Sequence, residues 1–146
     1  MPRRPFPGAC LLSALLMLSG CAGMAARLRR HTYPPDFKYI ERSELHSAMW
    51  RLASNVNELD DLMRSPEPID DARRARISQL LAAMDDAVRD LATNGRPTNH
   101  PLIGDNLDGF RRALETARTS VATEHPNYYL VGSVSGACLS CHGPER

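Results

Sequence analysis

Three apolar stripes at the helical period constrain this protein more than any other feature. Leu45, Met49, Leu52, Val56, Leu59 and Met63 recur at steps of 4, 3, 4, 3 and 4. Ile77, Leu81, Met84, Val88 and Leu91 repeat the pattern, as do Ile103, Leu107, Phe110, Leu114, Ala117 and Val121. Each set marks one buried face of an amphipathic helix. The stretches between them break helices: "RSPEPID", "NGRPTNHPLIGD" and, after the third stripe, "EHPN". Ser65-Pro66 reads as the cap and first residue of the second helix, and Asn94-Gly95 as its stop. No alternating strand pattern occurs. A fourth segment from about Asn127 keeps the spacing through Val131, Val134, Cys138 and Cys141. Gly132, Ser133, Ser135 and Gly136 are poor helix formers, so its packing must come from something other than propensity. Short connections make successive helices antiparallel. The expected fold is all-α, an antiparallel up-down-up-down four-helix bundle. The proline-bearing breaks argue against one long coiled coil.

Ahead of the bundle, Arg3 and Arg4 precede the apolar run "ACLLSALLMLSG" and then Cys21. A basic start and a short apolar core describe a secretory signal too short to span a bilayer as a mature helix. The residues "LSGC" resemble the lipobox of bacterial lipoproteins, in which the cysteine is diacylated and becomes the new N-terminus. The resemblance implies a signal peptide over residues 1–20, which takes Cys10 with it, and lipid on Cys21. With Ala22 next, it also implies the periplasmic face of the outer membrane. Residues 21–37, with Arg27, Arg29, Arg30 and the turn "YPPD", read as a lipidated tether. The domain proper is 38–146.

The whole sequence has 18 basic and 17 acidic residues; losing Arg3 and Arg4 leaves 16 against 17, a net charge of −1. No basic field exists to attract nucleic acid. Of the four cysteines, only Cys138 and Cys141 then remain available for other chemistry.

These two stand in "CLSCH", with His142 directly after the second. A disulfide oxidoreductase with C-x-x-C is expected in a βαβ context, which is missing. A tetrahedral zinc site needs four ligands; His31, His46, His100 and His125 are scattered without ligand spacing, and no second cysteine pair exists. A plain structural disulfide is the bland alternative. In an exported protein the motif C-x-x-C-H reads as covalent attachment of one haem c. Cys138 and Cys141 share a helix face and can form two thioethers, and the imidazole of His142 can reach the iron as proximal ligand. Gly136 and Ala137 would allow close approach of the backbone to the flat group.

Four helical stripes with "GACLSCH" on the last resemble the class II cytochromes c, cytochrome c′ and its low-spin relatives, over about residues 38–142. Haem is then expected near the C-terminal end of helix 4. The sequence departs from that family in its abrupt end, turning at Gly143-Pro144 with only Arg146 as a basic residue beyond. Helices 1 and 4 of such a bundle are antiparallel neighbours. With Ser43 capping the main part of helix 1, Met49 is six residues in, about 9 Å along the axis and level with His142. The stretch "ELHSAMWRLASNVNEL" is similar to the first helix of the low-spin members, which implies Met49 as the distal iron ligand. A core methionine is the ordinary alternative, and His46, three residues earlier, is the alternative ligand. Trp50 is expected to pack on a neighbouring helix or the haem edge, and His100 and His125 to be solvated. Arg42 and Arg51 are near the site in sequence, without an assigned propionate.

A His/Met-ligated iron describes a carrier of single electrons, because a Met/His pair raises the potential. With Met49 only packed, the open face would bind or sense NO or CO, as cytochrome c′ does. No distal acid–base pair is visible, so no enzymatic activity is expected. The expected partners are redox proteins of the periplasm or membrane and the membrane itself through Cys21. Nucleic acid is not among them, and a homodimer is left open.

Overall fold

In the computed structural model the described residues are Met24, Leu28 and residues 32–143. The expectations for the signal segment, Cys21, His31 and residues 144–146 lie outside them. The protein divides into two compact units, one ending at Phe37 and one starting at Lys38. In the first, the "YPPD" turn forms: the Phe37 N–H donates to the Pro34 carbonyl at 3.0 Å. Tyr33 and Phe37 stack across it with ring centroids 4.6 Å apart.

The second unit is an antiparallel up-down-up-down bundle of helices α1 (Arg42–Arg64), α2 (Asp71–Arg89), α3 (Pro101–Ala122) and α4 (Tyr128–Gly132), closed by a 3-10 helix at Ser135–Ser140. Its starts differ from the sequence expectation in two places. Helix α1 begins at Arg42 behind Glu41, not behind Ser43, and without a side-chain cap. Helix α2 begins five residues after Pro66, because Asp70 is the residue that caps: its carboxylate accepts the Arg73 N–H at 2.8 Å. Ser65 instead ends α1, and its hydroxyl accepts from the Arg73 guanidinium at 3.0 Å. At the other end α2 stops at Arg89, and the backbone reverses through Asn94 and Gly95, both in the left-handed region at φ 52° and 77°. Asparagine and glycine tolerate that conformation best.

The stripes become two adjoining cores. Leu59, Ile77, Leu81, Met84, Leu114, Val121, Val131 and Val134 form one, each almost fully excluded from solvent. Ile40, Ala48, Val88, Leu91, Ile103 and Leu107 form the other. Leu52 and Phe110 border both. Each fully buried leucine or isoleucine contributes about 1.5–3 kcal/mol. Arginines from α1 and α2 satisfy helix-end carbonyls of the next helix: Arg51 donates to the Ala87 carbonyl at 3.3 Å, and Arg74 to those of Val121 and Thr123 at 2.9 and 2.6 Å. Asp85 of α2 accepts from Arg111 of α3 at 2.9 Å, which holds its carboxyl below the usual range. Ser120, buried in α3, turns its hydroxyl towards the Ala117 and Asn127 carbonyls, and so pins the entry to α4. Before α1, the Lys38 N–H donates to the Pro97 carbonyl at 2.8 Å, while Asn99 grips Ile40 through both its backbone groups at 2.8 and 3.0 Å.

The fourth helix differs most from an ideal bundle. It has five α-helical residues and then tightens to 3-10 form where Ser135 and Gly136 stand. It packs on α3 and touches α1 only lightly. A space is left between α1, α3 and the C-terminal segment. Among the described residues no helix is long and apolar enough to cross a membrane.

Candidate functional site

That space is a cavity of about 510 Å³, in the range of about 300–1,000 Å³ typical of small-molecule and cofactor sites. Helix α1 supplies Met49, Leu52, Ala53, Val56 and Asn57, spaced i, i+3, i+4, i+7 and i+8. Helix α3 supplies Ile103, Asn106, Leu107 and Phe110, spaced i, i+3, i+4 and i+7. Both are single helix faces. The third wall is the C-terminal segment: Ser135, Ala137, Cys138, Cys141 and His142. No Asp, Glu, Lys or Arg lines the cavity, and nearly all of its surface is hydrocarbon or sulfur.

The 3-10 form matters for the two cysteines. In a 3-10 helix residues i and i+3 eclipse, with a rise of about 2.0 Å per residue. Cys138 lies within this 3-10 helix and Cys141 caps its end, and both line the cavity. The turn is closed by the Cys141 and His142 N–H groups, which both donate to the Cys138 carbonyl, at 3.2 and 2.9 Å. Both cysteines are half-buried thiols outside any disulfide. Burial pushes the Cys138 thiol above its ordinary pKa, and the nearby Cys141 and Asp60 add to the shift. Disulfide-exchange cysteines are activated by the opposite shift. Zinc is equally poorly served: among the described residues no three His, Cys, Asp or Glu side chains converge as a metal-binding group.

The structure brings Met49 to the same cavity as His142, Cys138 and Cys141. It leaves His46 out. His46 is exposed on α1 and lines neither this cavity nor its neighbour; its Nε2 accepts the Trp50 indole N–H at 2.9 Å. Trp50, expected to pack on a neighbouring helix or the haem edge, is 66% exposed. Position 50 lies about 100° round α1 from Met49, and the ring there meets the edge of His46. Gly136 is not among the residues that line the cavity. Ala137 is the small residue that lines the cavity. Arg51 is held to helix α2, and His125 is exposed as expected.

His100 also departs from its expected solvated place. His100 is half-buried and lines a second cavity of about 220 Å³ together with Leu45, Met49, Cys141 and His142. The available signal was Pro101 after it, the first residue of α3, which places His100 at the end of the bundle where α1 begins and the C-terminal segment finishes.

The residues fit a haem by their chemistry: two thiols on one side of a helical turn, an imidazole after the second, a thioether on the helix across the cavity, and apolar walls between. Comparison with models of protein families, with curated proteins and with solved structures finds no match to this sequence or its fold.

Proposed function

We propose that the protein is a c-type cytochrome carrying single electrons, attached by lipid on Cys21 to the periplasmic face of the outer membrane. The observation that carries this reading is the single cavity that has Cys138, Cys141 and His142 on one wall and Met49 on another. Cys138 and Cys141 would hold one haem through thioethers, with His142 as proximal and Met49 as distal ligand of the iron. When bound, the haem supplies a one-electron iron couple whose potential a Met/His pair raises.

The protein's own residues do the rest. Leu52, Val56, Leu107 and Phe110 line the cavity and would keep water from a haem held there. Helices α1 and α3 are each pinned to α2, which would hold Met49 in place beside a bound haem. The cavity offers no acid–base pair, and the proposal includes no enzymatic activity. Its redox partners belong to the periplasm or the membrane.

Haem is expected to stay with the denatured polypeptide on acid–acetone extraction and to give a c-type pyridine haemochrome. Haem that extracts freely, or a polypeptide that folds without acquiring any, would overturn the proposal. The anchor is tested separately. Cys21→Ser is expected to move the protein from the membrane pellet to the soluble fraction with its haem spectrum unchanged. Wild-type protein that is already soluble, with a mature N-terminus beyond residue 21, contradicts the anchor alone.

A further inference from the structure

We propose that His100 accepts a hydrogen bond from the Nδ1–H of His142, making it a positioning residue for the iron ligand. The inference rests on the haem reading above. An imidazole bound to iron through Nε2 keeps a proton on Nδ1, and metal-ligating histidines almost always give that proton to a carboxylate, a carbonyl or water, which fixes the ring and raises its basicity.

His142 lines both cavities and so stands at their junction. The larger one holds both cysteines; the smaller one is reached by Cys141 alone and contains His100. Neither is lined by a carboxylate. Two nitrogen- or oxygen-bearing side chains face the smaller cavity besides His142. Asn99 is spent: its Oδ1 accepts the Ile40 N–H at 2.8 Å and its Nδ2 donates to the Ile40 carbonyl at 3.0 Å. His100 is not. It stands at the cap position of α3 without making a side-chain cap bond. Its backbone, however, is fixed. Its N–H donates to the Thr98 hydroxyl at 3.3 Å, and its carbonyl accepts from Ile103 and Gly104 at 2.9 and 3.1 Å. Pro101 further restricts it to extended conformations, which its φ of −125° obeys. The site therefore presents, on a fixed backbone, an imidazole with an uncommitted nitrogen lining the same small cavity as His142.

A bond from Nδ1–H makes His142 a stronger donor and favours ferric iron, against the preference of the Met49 thioether for ferrous. Losing it should raise the potential. The test uses the haem-bearing full-length protein with His100→Leu and His100→Gln. The leucine variant is expected to shift the ratio of reduced to oxidised protein at a fixed ambient potential by about tenfold towards reduced, the low end of what such partners contribute. In a Met49→Ala background the ferrous iron–imidazole stretch should fall in frequency, and His100→Gln should recover part of both changes through its amide oxygen. Should the leucine variant not fold, His100→Ala is read in its place: a shift in the same direction supports the proposal, and none overturns it. Retained thioether haem with an unmoved potential and stretch overturns this inference while leaving the haem reading intact. A wild-type protein without thioether haem overturns both.

Discussion

Replacing Cys138 and Cys141 together by alanine is expected to give a polypeptide with no covalently held haem, whose residues 135–143 have lost protection from hydrogen exchange. Val131 and Val134 should keep theirs. The asymmetry follows from where the terminal segment spends its apolar residues. Val131 and Val134 are fully buried in the larger core, whereas Cys138 and Cys141 face the cavity and no residue of 135–140 is buried. At about 24 cal/mol per Å³ of unfilled apolar volume, a cavity of about 510 Å³ would cost on the order of 10 kcal/mol if it stayed dry. That rivals the entire stability of a typical domain, about 5–15 kcal/mol. The double variant must therefore let water in or close the gap, and either response loosens the 3-10 helix first. Thermal unfolding should shift down by many degrees, and exchange measured by mass spectrometry locates the loss. Uniform protection across residues 128–143 would show that the terminal segment packs without the group.

Met49→Ala is expected to convert a low-spin absorption spectrum to a high-spin one and to create CO binding that the parent lacks. A thioether is a weak neutral ligand that favours ferrous iron, so the potential should fall by a sizeable part of the roughly 0.8 V that axial ligation commands. The fold should survive, because Met49 borders the smaller core and is not one of its fully buried members. The parent spectrum is itself decisive. A parent that is high-spin and takes up CO makes Met49 a packing residue and gas binding the better function. A parent that is low-spin and stays low-spin after Met49→Ala has another ligand. His46 is a poor substitute, being held to Trp50 and outside both cavities.

The helices were legible because burial in a bundle is periodic. Every residue of the second stripe is buried, and the lining of the cavity continues the first and third stripes by one flanking column, Ala53 and Asn57 on α1 and Asn106 on α3. The fourth stripe was legible only as spacing. Its 3, 4, 3 pattern serves two ends, core for the valines and cavity for the cysteines. Nothing in the pattern says where one role gives way to the other. Local starts were misread where two caps competed: Ser65-Pro66 has the better motif, but Asp70 has the carboxylate that reaches Arg73. His100 and Trp50 were misplaced for a common reason. Their surroundings are set by which helix ends meet, and a one-dimensional pattern does not record that.

The two-pronged grip of Asn99 on Ile40 has a mechanical consequence. Tension entering the bundle from residues before Lys38 would not peel α1 away turn by turn. It loads the Ile40 pair and the Lys38–Pro97 bond together against the loop that leads into α3. That loop carries His100. A tug on the N-terminal side of the domain is thus delivered to the loop backbone at Asn99, one residue before His100.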